Sequence, residues 1–372
     1  MTVELNTFAP QDKIQEQHAI LHVEPRGELF EGQFDRICRA EQALLSMPQC
    51  SASRTIFKRY FLSDATNQQP LIKGKLNNEC SLASVSCIQQ PPLDGSKVAA
   101  WLYLASDMDV EERDGIITAE HNGYKHMWML GLTESEGDSA HQTTALLNRY
   151  ETAMQHCGAT LADNCIRTWF FVRDVDTQYA GMVRARREFF EAQGLTKNTH
   201  FIASTGIGGI PADTHALIQF GAYALQGFEP AQQHYLYAKD YLNSTYEYGV
   251  TFERGTRIDY GDRRHVYISG TASINNKGEV VHVGNIEQQT YRMWDNVEAL
   301  LAEAGTSFYD VAQIIVYLRD PADYASVKAL FDQKFPSTPY VITLAPVCRP
   351  TWLIEMECMA ICEVNNLDFR DF

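Results

Sequence analysis

The chain has 372 residues, room for two or three domains at ~100–200 residues each. Hydrophobic residues make up 45%, enough for a globular core. The formal net charge of −16 argues against a nucleic-acid partner, because phosphate binding needs a basic face. A small anionic substrate would need local arginines to overcome that field.

The nine cysteines, at 38, 50, 80, 87, 157, 165, 348, 358 and 362, are odd in number and form no CxxC, which reads as reduced thiols of a cytosolic protein. The opening MTVELNTFAPQDKIQEQ lacks the apolar region of a secretory signal. No stretch reaches the ~18 apolar residues of a membrane helix. A cytoplasmic location with no membrane partner is expected.

In chain order, AILHVEP reads as a strand and FEGQFDRICRAEQALLSM as a helix. RTIFKRYFLSD reads as a second strand, and SLASVSCIQQPPLDGSKVAAWLYLAS as a closing pair. With no opening hairpin visible, residues 18–108 read as a shortened unit, followed by a linker or insertion around 106–125. A fuller unit spans 120–228. It comprises the strand HMWMLGL, the helix SAHQTTALLNRYETAMQHCG, the strand IRTWFFVRD, the helix TQYAGMVRARREFF, and closing strands in THFIAST and HALIQFGAYAL. Residues 226–260 read as a second linker or insertion.

The unit at 240–365 is the clearest. HVYISGTASI is a strand, Asn276 and Gly278 supply turn chemistry, and 279–281 returns as a second strand. The next segment is a helix, with Met293, Val297, Leu300 and Leu301 at helical spacing and Gly305 as its stop. AQIIVYLRD is a strand, PADYASVKALFDQKF a helix opened by Pro321, and YVITLAP and TWLIEMECMAI the last two strands. The order is ββαβαββ. Gln142 and Thr143 align with Gln289 and Thr290, and IRTWFFVRD with AQIIVYLRD. A period of roughly 140 residues means tandem domains.

VYISGTASI, the Gln–Gln–Thr helix, AEAGTSFYDVAQIIVYLRDPADYASV and LIEMECMAI together resemble the RidA (YjgF) superfamily over about 100 residues of the last unit. The resemblance implies an α/β (α+β) fold of tandem RidA-like, chorismate mutase-like units, three in one chain forming a pseudo-trimer. Each would be a sheet with two helices on one face. It places small-molecule pockets between neighbouring units.

SGTASI, RTWFFV, EYG at 247–249 and the closing CR-x-x-L-[IV]-E pattern further resemble the chorismatases. These hydrolyse the enolpyruvyl ether of chorismate to a dihydroxycyclohexadiene carboxylate or, in another subgroup, a hydroxybenzoate. The sequence departs from these patterns at two places. Tyr340 stands where RidA imine deaminases carry arginine, fifteen residues before the strand glutamate, and YGVTF lacks the arginine that follows YG in chorismatases. The older family label of endoribonuclease fits poorly with the charge of −16.

Glu355 is the sharpest candidate. Its neighbours in LIEME are apolar, and burial raises a carboxyl's pKa toward the range of a proton donor. Glu357 shares its face as a candidate support. The equivalent positions read Gln219 and Ala100, so the chain would carry one active site.

Arg349, in a loop, and Arg319, beside Asp320, are candidate carboxylate clamps or else salt-bridge residues, and Arg173 copies Arg319. Cys348 is a candidate nucleophile if Arg349 promotes its thiolate, or a small buried hydrophobe. The chorismatase resemblance implies that a cysteine here goes with the hydroxybenzoate-forming subgroup. Ser269, Gly270, Thr271 and Ala272 would bring backbone and hydroxyl against a ligand, or form a bulge. The expected pocket lies between the last and middle units, lined by Glu355, Cys348, Arg349, Tyr340 and 269–272.

GIGG at 206–209 reads as a turn, and the aromatic-rich 233–248 as a pocket cover or packing against a neighbouring unit. The eleven histidines form no HExxH, so neither a metal nor a cofactor is inferred. The leading expectation is a chorismatase-like hydrolase of chorismate or a related cyclic carboxylic acid, with Glu355 as proton donor. The alternatives are a RidA-like imine or amide hydrolase, or a non-catalytic small-molecule binding protein. The expected assembly is a monomeric pseudo-trimer or a low-order homo-oligomer.

Overall fold

A computed structural model describes residues 1–76 and 82–372. Cys80 and Ser81, the first residue of the segment read as the first closing pair, lie outside the described residues. Three similar sheets follow one another along the chain. The first contains β1 (Thr2–Phe8), β2 (Glu16–His22), β3 (Ser53–Leu62), β4 (Ser84–Gln89) and β5 (Val98–Ser106), with helices α1 (Phe30–Leu45) and α2 (Ala65–Leu76).

The second has β6 (Asp109–Arg113), β7 (Ile116–His121), β8 (Tyr124–Thr133), β9 (Cys165–Val172), β10 (Ala203–Gly208) and β11 (Ile218–Gln226), with α3 (Ser139–His156), the short α4 (Leu161–Asn164) and α5 (Val175–Ala192). The third has β12 (Gln233–Leu236), β13 (Gly255–Asp259), β14 (Arg263–Ala272), β15 (Val311–Leu318), β16 (Tyr340–Leu344) and β17 (Ile354–Glu363), with α6 (Ile286–Glu303) and α7 (Tyr324–Lys334).

The strand orders are β1-β2-β5-β3-β4, β10-β9-β11-β8-β7-β6 and β12-β13-β14-β17-β15-β16. In each sheet one pair is parallel: β3 with β4, β9 with β10, and β15 with β16. This is one α/β unit built three times. α1 presents Phe30, Phe34, Ile37 and Leu44 to the outer face of its sheet, where they meet Leu21, Tyr60 and Leu102. α6 does the same with Met293, Val297, Leu300 and Leu301.

The repeated Gln–Thr pair is structural. Gln289 donates to the Thr351 carbonyl and accepts from Leu353 N–H. Gln142 donates to the His215 carbonyl and accepts from Leu217 N–H. Gln33 accepts from Lys97 N–H. In every unit a buried glutamine on the first helix satisfies backbone at the approach to the closing strand.

Four readings change. The first unit has an opening hairpin, β1 paired with β2 from Thr2–His22 to Phe8–Glu16. The segments read as linkers or insertions, 106–125 and 226–260, are not plain linkers: the first holds the β6–β7 hairpin and the second contributes β12 and β13. Residues 279–281 are not a strand, because β14 already has β13 as its hairpin partner; a single bridge, Ile274 to Val280, remains. Gly206 and Gly208 of GIGG lie within β10 rather than in a turn.

The units close around an axis. β4 packs against β8 and β10 against β14, while β1 and β2 pack against β15 and Tyr340 at the start of β16. Backbone bonds run between the units, from Gly208 N–H to the Pro346 carbonyl and from Leu344 N–H to the Pro91 carbonyl. The inner faces meet at an aromatic core that includes Phe57, Trp101, Trp128, Trp169 and Tyr223.

Buried in that core, Glu357 of the third unit accepts from Arg167 at 2.8 Å and from the Trp169 indole at 2.9 Å, with Arg59 of the first unit 3.6 Å away. The core leaves a void of about 40 Å³, room for about one to three waters. Among the described residues, no helix is long and apolar enough to cross a membrane.

At the seam between the third and first units, His22 lies between Glu4 (3.6 Å) and Asp94 (3.5 Å), with the Tyr340 carbonyl at 3.1 Å. Burial opposes its charged form, but hydrogen bonds and attraction from Asp94 and Glu4 outweigh it and push His22 up to about 9. A raised histidine pKa contributes stability that is full below the unfolded value of 6.5 and lost as pH rises through 9. Urea unfolding should therefore show a loss on the order of 2 kcal/mol between those limits, and His22→Gln should abolish that component.

Candidate active site

The cavity that holds Glu355 has a volume of about 350 Å³ and lies between the second and third units. The third unit supplies Gly270, Ala272, Cys348, Arg349, Trp352 and Glu355, and the second supplies one face of α5 and the start of β10. Tyr179, Val183 and Arg186 of α5 stand four and three residues apart, so all three project to that face.

Glu355 is 5% exposed. Burial first, and then repulsion from Glu357, raise its pKa to about 8, against the opposing pull of Arg167 and Arg254. At neutral pH it is therefore a neutral acid facing a ligand-sized space. β14 makes room for it. The ladder between β14 and β17 shifts register between Ile268 and Thr271, so the 269–272 segment is a bulge, and its Gly270 and Ala272 line the cavity. A Cβ on Gly270 would fall 2.1 Å from Glu355 Oε1, so the carboxyl occupies the space that glycine leaves open.

Glu355 pairs with Tyr317, as Gln219 pairs with Phe171 and Ala99 with Phe61. The first unit's counterpart is thus Ala99, one residue from the expected Ala100. Gln219 is buried and donates to Ser86. Among these three positions, only the third unit has an acid.

Cys348 lines the cavity, but burial and Glu355 push its thiol up to about 12, outweighing Tyr179 and Arg349. Arg349 does not make it a thiolate. Arg349 itself lines the cavity, with its guanidinium 4.7 Å from the Trp352 ring.

Arg319 lies at the rim. It is committed to the Val347 carbonyl at 2.8 Å and to Asp176. Its copy Arg173 binds the carbonyls of Ala216, Pro211 and Asp213, so the Arg–Asp corner secures loops in both units. Thr271 is buried and turned from the cavity, donating to the Ser269 carbonyl.

Tyr340 does not line the cavity. β15 separates β16 from β17, so Tyr340 sits at the opposite seam, where its hydroxyl donates to Asp332 and its N–H to Glu4.

Other wall residues carried signals that were not read. Arg186, 1% exposed, sits on the apolar stripe of α5 with Val175, Met182 and Phe190, and a cation on a buried stripe is a functional signal. Arg254, 4% exposed, follows the aromatic-rich segment, whose continuation through Gly249, Val250 and Phe252 forms the cavity wall. Arg254 donates to Asn243 at 3.2 Å. The β10 glycines permit close approach: a Cβ at Gly206 would meet the Tyr179 ring at 3.0 Å, and one at Gly208 the Pro346 carbonyl at 2.7 Å. Among the described residues, no three His, Cys, Asp or Glu side chains gather as a metal site requires.

Three α/β units around one axis, with the Glu355 cavity between two of them, define the class of molecule. The family model described as Endoribonuclease L-PSP matches residues 258–362. A RutC family protein of Pyrococcus abyssi is 35% identical over 101 residues, covering 26% of this chain and 79% of that protein. The 3-aminoacrylate deaminase RutC of Acinetobacter baylyi is 33% identical over 98 residues, covering 26% of this chain and 77% of that protein. The chain belongs to the RutC family, through its third unit. Over 82% of its length, and 92% of the other chain, it shares the fold of a chorismatase crystal structure, with a TM-score of 0.65 and 20% identity.

Proposed function

We propose that the protein hydrolyses the enolpyruvyl ether of chorismate, or of a related cyclic carboxylic acid, with Glu355 as the proton donor. The observation that carries this reading is the buried Glu355 carboxyl, at the wall of a cavity that also holds Arg186, Arg254 and Arg349, where burial raises its pKa. An anion is drawn there against the overall negative charge because the arginines are local and two of them, Arg186 and Arg254, are buried.

Glu355 gives its proton to the terminal methylene carbon of the enol ether, forming a C–H bond and an oxocarbenium centre. Water adds to that centre. One proton from the water returns to Glu355; the hemiketal hydroxyl then gives its proton to the ether oxygen on the ring as the bond to that oxygen breaks, releasing pyruvate and the ring alcohol. The arginines hold carboxylate groups, and Tyr179, Phe252 and Trp352 offer aromatic walls to a ring. Cys348 stays a thiol and takes no nucleophilic step.

Protonation of an electron-rich alkene carbon is also the first step in hydrolysing an enamine acid. The similarity of the third unit to an aminoacrylate deaminase supports this as the second reading.

Incubation with chorismate, followed by chromatography, should show substrate loss with one pyruvate per turnover. The rate should be level below pH 8 and fall about tenfold per unit above it, because the acid form of Glu355 is the active one. No loss of chorismate, with turnover of a small enamine acid instead, would transfer the assignment to the second reading.

A further inference from the structure

We propose that Glu357 is a positioning residue for the proton donor: its negative charge, clamped by arginines of the two other units, keeps Glu355 in its acid form. This rests on the reading of Glu355 as proton donor and adds what sets its protonation state.

Glu357 lies two residues from Glu355 on the same strand and is itself 2% exposed. Arg167 and the Trp169 indole hold its carboxylate at 2.8 and 2.9 Å, and Arg59 stands 3.6 Å away. Thr205 adds a hydroxyl at 2.5 Å, and the same hydroxyl accepts the Gly270 N–H at 2.9 Å. One side chain thus links Glu357 to the backbone of the residue whose missing Cβ makes room for Glu355. A fixed carboxylate this close disfavours a second negative charge on the same face.

The other charged or titratable groups around Glu355 are Arg167 from β9, Arg254 from the segment before β13, Cys348 and Arg349 from the loop before β17, Asp176, Tyr179 and Arg186 from α5, and Tyr317 opposite it on β15. Burial raises Glu355 first, with Glu357 next, while Arg167 and Arg254 pull the other way. Removing Glu357 therefore leaves the arginines less opposed.

The test needs no substrate. In protein labelled with ¹³C at the glutamate carboxyl, the Glu355 resonance is identified by its loss in Glu355→Gln, and its titration is followed by NMR. Glu357→Gln should move the Glu355 midpoint down by about one pH unit or more. Arg59→Met, which leaves Glu357 less neutralised, should move it up, and it keeps the proposal testable if Glu357→Gln does not fold. A midpoint unchanged in whichever variants fold would overturn the proposal.

Where chorismate is turned over, Thr205→Val should lower kcat about tenfold with KM unchanged, and Thr205→Ser should restore it. A Thr205→Val variant with wild-type kcat would sink the positioning role. Wild-type protein that leaves chorismate intact would remove the functional reading, while the titrations still decide the role of Glu357.

Discussion

Glu355→Gln is expected to reduce turnover by ~10²–10⁴-fold, the usual worth of a general acid. Glutamine reproduces the shape and donor capacity of the neutral carboxyl but has no proton to deliver to carbon. The variant should be no less stable than the parent. A carboxyl whose pKa rises from 4.5 to about 8 on folding holds its proton in the native state where the unfolded chain has lost it. Stability therefore falls as pH rises between those values, and glutamine removes that loss. Melting curves of the two proteins should coincide near pH 4.5 and separate in favour of Glu355→Gln by pH 8. Turnover within a factor of a few of the parent would rule Glu355 out as the acid.

Gly270→Ala is expected to cost about 10²-fold in kcat, because a displacement near 1 Å at the reacting group is enough for that. The new methyl would overlap Glu355 Oε1 at 2.1 Å and approach Thr205 Cγ2 at 3.1 Å. The first of these atoms is the free end of a side chain. The carboxyl can swing aside, so the loss should fall on activity and leave melting within a few degrees of the parent, about 1 kcal/mol or less. Full activity with a displaced carboxyl would show that its placement is not critical. An unfolded variant would show that β14 cannot yield.

What could be read from the sequence follows the physics of each element. Glu355 stood out because an acid within Ile354 and Met356 has no solvated alternative, and the Gly270 segment because a glycine inside a β-branched run invites close approach. The three-unit fold was legible in the first amphipathic helix and closing strands of each copy; α2 of the first unit was not read, because ATNQQPLIKGKL carries a proline and no apolar stripe. β6, with the sequence DVEER, was not, because it is an edge strand held by pairing with β7 rather than by an apolar face of its own. Tyr340 falls outside the expected pocket because β16 and β17, consecutive in sequence, are not neighbours in the sheet; the parallel β15–β16 pairing puts β15 between them. Arg186 and Arg254 were missed because their relevance depends on which units meet, and that is settled by packing between distant segments.

The axial ion cluster says something about why these units share one chain. By strand register, the counterparts of Glu357 are Gly221 and Trp101, opposite Trp169 and Arg59 as Glu357 is opposite Ile315. In an assembly of three identical subunits, any residue beside the axis confronts two copies of itself, so an acid there would meet two more acids across a dry interior. Covalent linkage lifts that constraint and lets one acid face two bases. The same loss of symmetry leaves Gln219 and Ala99 where the third unit has Glu355. The units are consequently not interchangeable: excising the third would leave the buried guanidinium groups of Arg59 and Arg167 without their counter-charge, even if the other two kept their own sheets and helices.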